Sequence, residues 1–127
     1  MSELAVTVNY ALDDTERLVR AALKDQGFGV LTEIDVAQTF REKLNVTRRP
    51  LKILGACNPV MAHEAITRSI DVTLALPCNV VLDEVSPTQT KVSIADPTTM
   101  MPGATFSDLV DDAKSRLTKV LQSLSDQ

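Results

Sequence analysis

Apolar and polar positions alternate at Val6, Thr7, Val8 and Asn9, a period of two that predicts a first strand over residues 4–10. The period then lengthens. Leu18, Val19, Ala22 and Leu23 recur at helical spacing behind Asp13 and Glu16, which read as a capping box. Gly27 stands where a helix C-terminus favours the left-handed conformation. Phe28 to Ile34 returns to strand chemistry. Asp35 and Gln38 form a second capping box, opening a short helix with Val36, Phe40 and Leu44 on one stripe and Asn45 as its stop. Leu51 to Ala56 predicts a third strand. Asn58 is a good N-cap and Pro59 a good first helical residue, because the N–H that proline lacks has no partner in a first turn; this helix runs to about Arg68. Asp71 to Leu76 is apolar, but Pro77 interrupts any ladder it joins, so strand and coil both stay open. Asn79 to Val85 and Thr90 to Ala95 predict a hairpin around Ser86-Pro87-Thr88-Gln89. Asp96-Pro97 starts one helical turn, ending at Pro102-Gly103. Phe106, Leu109, Val110, Ala113, Leu117, Val120, Leu121 and Leu124 mark a long last helix.

Strands and helices alternate early and a hairpin comes late, which places the chain in the α+β class with one mixed or antiparallel sheet. Residues 1–127 fit a single domain, with no internal linker. Apolar residues make up 44% but aromatics only 3%, so aliphatic side chains must fill the core. The net charge of -4 and the scarcity of aromatics argue against a nucleic-acid reader, which needs a basic face or stacking rings. The densest basic patch, Arg41, Lys43, Arg48, Arg49 and Lys52, reads as a solvated rim. No apolar run approaches the ~20 residues of a membrane span, and the N-terminus lacks a leader pattern. A cytoplasmic protein with reduced cysteines is therefore expected.

Candidate chemistry concentrates in two near-repeats, Ala56-Cys57-Asn58-Pro59 and Pro77-Cys78-Asn79-Val80, which hold both cysteines of the chain. Cys57 would precede the N-cap of the Pro59 helix, where the positive end of the helix dipole favours a thiolate and lowers the thiol pKa. The same position suits a bland role, with Cys57 packing on Ala62 as a hydrophobic staple. Cys57, Asn58, Cys78, Asn79 and His63 are the candidate ligand-binding residues. Cys57, Cys78 and Met100 are candidate metal ligands, since thiols and thioethers suit a soft ion such as Cu(I); Met61 and Met101 are further thioethers. Thr67 stands where a zinc-protease helix needs its second histidine after His63-Glu64, and no C-x-x-C is present. Gly27-Phe28-Gly29 precedes a strand, whereas a dinucleotide loop must open a helix.

Lys52-Ile53-Leu54-Gly55-Ala56-Cys57-Asn58-Pro59, followed by Leu74-Ala75-Leu76-Pro77-Cys78-Asn79-Val80, resembles the family known as domain of unknown function 302. Gly27-Phe28-Gly29-Val30, Thr32-Glu33-Ile34-Asp35 and Asp96-Pro97 with Met100 extend the resemblance over nearly the whole chain. Leu51, where an aromatic is expected, and Thr73, often glycine, depart from it. The resemblance implies a mostly antiparallel, curved sheet with helices packed on one face, similar to the TATA-binding-protein-like fold. It implies no activity and no cofactor. Three readings stay open: a small non-enzymatic binding module, as a homodimer, holding a small ligand or soft metal at Cys57 and Cys78; a thiol-dependent enzyme or redox protein with Cys57 reactive and Cys78 resolving; and a structural domain with core cysteines.

Overall fold

A computed structural model describes residues 3–127. Its elements are β1 (Glu3–Val8), α1 (Leu12–Asp25), β2 (Gly29–Asp35), α2 (Val36–Leu44), β3 (Leu51–Cys57) and α3 (Pro59–Arg68). A 3₁₀ turn, Ile70–Ala75, leads to β4 (Cys78–Ser86) and β5 (Gln89–Ala95). Then come α4 (Pro97–Met100), a second 3₁₀ turn (Ala104–Phe106) and α5 (Ser107–Ser125). The strands form one antiparallel sheet in the order β1-β5-β4-β3-β2. The chain is thus a single α+β unit built on a curved antiparallel sheet, as the pattern and the resemblance imply.

Alternation along the strands selects the buried face. Leu54 and Ala56 of β3, Val80 and Leu82 of β4, and Val92 and Ile94 of β5 point to one side, where α1 supplies Val19 and Leu23. From α5 come Leu117, Val120 and Leu124. All of these are buried, and together they form one aliphatic core between the two long helices and the sheet. The opposite face carries Ala5, Ser93, Val81, Ile53 and Ile34 in one cross-strand row, none of them buried. Among the described residues no helix is long and apolar enough to cross a membrane.

The two ends of α2, the end of α1 and the start of α4 follow local chemistry, and the start of α1 departs from it. Asp35 caps α2 by accepting from the Gln38 N–H, and Asn45 ends it at φ 54° in the left-handed region. Gly27, at φ 84°, closes α1: its N–H donates to the Lys24 carbonyl and the Phe28 N–H to the Leu23 carbonyl. These two bonds are the Schellman arrangement, and Phe28 and Leu23 are both buried beside it. Asp96 caps α4 through Thr98. The start of α1 differs from expectation, because Asp13 is not its cap. The N-cap is Ala11, without a side-chain bond, and the Leu12 N–H donates instead to Glu84 Oε2 of β4 at 2.9 Å. A carboxylate 72 residues away thus does the work of a local cap. The undecided Asp71–Leu76 segment lies mostly within the 3₁₀ turn Ile70–Ala75, with Ser69 Oγ accepting from the Asp71 N–H.

Candidate functional site

At one end of the sheet, the close of β3, the start of β4 and helices α3 and α5 enclose a cavity of about 40 Å³. A buried water needs about 10–15 Å³ of such space, so the volume admits a small molecule or a short chain segment. Ala56, Cys57 and Asn58 line it from β3 and the α3 cap; Met61, Ala62 and Ala65 line it from α3. Phe28, Leu76 and Cys78 form another wall, and Met101, Phe106, Leu109 and Ala113 close the side toward α5. No ionised side chain is among them.

Asn58 and Pro59 set this geometry locally. Asn58 Oδ1 accepts from the Met61 N–H at 3.1 Å, and Pro59 occupies the first turn, as the sequence predicts. A helix started there turns residues 61, 62 and 65 toward the sheet end, since positions three and four apart share a face. His63 falls off that face: it is exposed and does not line the cavity. Asn58 Nδ2 also lies 3.1 Å from where a Cβ on Gly27 would sit, so a side chain at that turn would crowd the cap.

The two cysteines line the same cavity but are not near each other, so the expected thiol pair is absent. The register does not pair them directly. Cys78 lies opposite Ala56, whereas Cys57, one residue further along β3, lies opposite Gly29 on the other neighbouring strand. Both are free thiols, Cys57 half-buried and Cys78 buried. The expected lowering of the Cys57 pKa is also corrected. Burial pushes the Cys57 thiol up. Burial pushes Cys78 up as well, with a further contribution from Cys57. Two N–H groups of the first α3 turn are already engaged, that of Met61 by the Asn58 side chain and that of Ala62 by the Asn58 carbonyl. Iodoacetamide should therefore label both cysteines at pH 7.5 more slowly than it labels N-acetylcysteine, Cys78 slowest, with rates rising above pH 9. Mass spectrometry of the time course checks this; faster labelling of Cys57 than of the free thiol would restore the reactive-cysteine reading.

The remaining expected site residues separate. Asn79 is exposed and follows Cys78 on the opposite face of β4. Met100 is 45% exposed and lies outside the cavity, in a neighbouring groove, while Met101 enters the cavity wall. Among the described residues no group of three or more His, Cys, Asp or Glu side chains is placed to hold a metal ion. Sulfur is nonetheless concentrated here, because Cys57, Met61, Cys78 and Met101 all line one cavity. Phe28, Ala62, Ala65, Leu109 and Ala113 went unnoticed in the sequence as site residues. The only signal is the alanines at 62, 65 and 113 on the two helices, where missing side-chain volume leaves room; Phe28 and Leu109 carry none.

Two polar anchors hold the cavity walls. Arg68, at the end of α3, donates to both carboxylate oxygens of Asp108 in α5 at 2.7 and 3.0 Å, to the Thr105 carbonyl, and to Glu64. The Arg68 guanidinium holds the Asp108 pKa down at about 2. Asp96, 4% exposed, accepts from the Thr98 N–H and hydroxyl and pairs with Lys114 of α5 at 3.1 Å. Burial alone would raise its pKa, but these bonds prevail and lower it. The first anchor ties α3 to α5; the second ties α4, and with it the Met101 segment, to α5.

Known proteins place this architecture. A crystal structure of an uncharacterized conserved DUF302 protein from Bacillus stearothermophilus is 29% identical, with 98% of each chain covered and a TM-score of 0.86. No match is found among curated proteins. The family model described as domain of unknown function DUF302 matches residues 4–124, and the chain belongs to that family.

Proposed function

We propose that this domain is a non-enzymatic binding module that takes a small, uncharged, apolar molecule between α3, α5 and the ends of β3 and β4. The observation that carries this reading is the cavity wall itself, made of hydrocarbon and sulfur apart from the Asn58 amide, with no ionised group. Such a wall rewards apolar surface, at roughly 0.8 kcal/mol per buried methylene, and penalises charge strongly. The raised thiol pKa values support it, because both sulfurs stay protonated and neutral near pH 7. Among the described residues no carboxylate or imidazole lines the cavity to act as a general base.

A second reading, a soft metal ion, is favoured by the four sulfur side chains on one cavity. It requires thiolates, which burial opposes, and movement of the two cysteines toward each other. One experiment separates the two. Amide NMR spectra are recorded while 1-butanol, and separately Ag(I) as a soft-ion probe, is titrated into the reduced protein. The apolar reading expects saturable shifts from 1-butanol confined to residues around Cys57–Ala65 and Leu109–Ala113. Ala62→Leu, which fills the cavity from a half-buried helix position, should weaken them at least fivefold with the remaining spectrum unchanged. Stoichiometric Ag(I) binding lost in Cys57→Ser and Cys78→Ser, without a butanol response, would instead select the metal.

A further inference from the structure

Beside the cavity runs an open groove of about 370 Å³, walled by the 3₁₀ turn Ile70–Ala75 and by the chain from Met100 to Phe106. Met101 and Phe106 line both spaces, so they form the partition between them. We propose that cavity and groove work as one slot for an unbranched alkyl chain whose head group carries no negative charge, the chain end entering the cavity past Met101. This rests on the apolar-ligand reading above and extends it to a ligand class.

Shape and chemistry point to this occupant together. The partition is adaptable on its methionine side: that side chain has three rotatable bonds and a polarisable sulfur, so it can repack around a chain passing beside it. The groove offers Val72, Leu74 and Ala75 on one side and Met100 and Pro102 on the other. Leu74 is 91% exposed and Met100 45%, so apolar surface at the rim stays in water unless something lies along it. Among the described residues the groove's polar lining is Ser69 and Asp71, and of these Asp71 carries a charge. A hydroxyl or other neutral head meets hydrogen-bonding partners there, whereas a carboxylate meets a like charge. A small compact molecule would fill the cavity and leave the groove wet; a chain covers both.

The test compares 1-butanol, 1-hexanol, 1-octanol and octanoate by amide NMR on the wild-type protein and on Leu74→Glu. Each added methylene should lower Kd about two- to fourfold, fourfold corresponding to full burial at ~0.8 kcal/mol. Shifts should spread from cavity residues to Val72–Ala75 and Met100–Phe106 as the chain grows. Octanoate should bind several-fold more weakly than 1-octanol. Leu74→Glu alters an exposed side chain, so the fold is retained; it should abolish the gain from hexanol to octanol and leave butanol unaffected. Saturable butanol binding with no gain on lengthening overturns this inference while leaving the cavity reading intact. Absence of binding by every alcohol overturns both. Groove resonances that shift with protein concentration, with slower diffusion reversed by Leu74→Glu, would assign the groove to a second copy of the chain and overturn the inference.

Discussion

Leu117→Ala should destabilise the domain by about 2–5 kcal/mol, the range for deleting a fully buried leucine side chain and leaving a cavity behind. Leu117 is 0% exposed and belongs to the α5 stripe, in the same buried core cluster as Leu54, Val80, Leu82, Val92 and Ile94 of the sheet. The loss combines lost transfer free energy with unfilled volume, since the α5 backbone is held by flanking contacts and cannot collapse inward. Among these is the Arg116 bond to the Gln26 carbonyl at 3.0 Å, which ties α5 to the end of α1. Against a typical total of ~5–15 kcal/mol, this is a large fraction. Urea denaturation followed by far-UV circular dichroism checks it: the midpoint should fall sharply while the slope stays near wild type. Leu74→Ala is the matched control, because at 91% exposure the same chemistry should change stability by less than ~0.5 kcal/mol. Equal effects at the two positions would contradict the buried α5 face.

The second large effect is expected at Gly55. This residue lies in the middle of β3, opposite Asn79 of β4 and Thr32 of β2. A Cβ built on it would run into Thr32 Oγ1 and come within 2.8 Å of Pro77 Cγ. The threonine hydroxyl can rotate away, but the proline ring cannot, so the strain falls on the chain entering β4. Gly55→Val should therefore cost about 1–3 kcal/mol, as overpacking does. It should also disturb amide signals around Cys78, one residue beyond Pro77. Adding Thr32→Ala should recover only part of the loss, since it removes one obstacle and leaves the other. Complete recovery would show that Pro77 yields and that the close approach does not constrain the strand.

The legible parts of the molecule are those decided within a few residues. Asn58 and Pro59 announce the start of α3 because a cap and its first-turn N–H groups are neighbours along the chain. Gly27 announces the end of α1 for a similar reason: only glycine takes φ 84° without strain. The apolar stripe of α5 predicts its buried positions, and Val110, Ala113, Leu117, Val120 and Leu124 are all buried. The start of α1 was not legible, because Asp13 carries a cap signature while the bond to Leu12 comes from Glu84 on a distant strand. The 3₁₀ turn at Ile70–Ala75 is undecided in the sequence because the segment is apolar enough for a strand while Pro77 interrupts any ladder it would join.

For the candidate site, the sequence alone picked out both cysteine motifs and the helix that begins beside the first. It could not say that the sulfurs would stand apart, since that depends on a strand register that pairs Cys78 with Ala56. It assigned Cys57 a lowered pKa from the helix dipole, a local argument; tertiary burial acts in the opposite direction and raises it. It favoured Met100 and His63 as partners, whereas helix rotation and the α4 anchor bring Met61 and Met101 to the cavity. Order of elements, fold class and the helix caps other than that of α1 were therefore determined by short-range pattern and backbone sterics, which act between near neighbours. The cavity, its neutral thiols and the neighbouring groove were decided only by tertiary structure. They are spaces and environments between elements, and no single segment of the chain contains them.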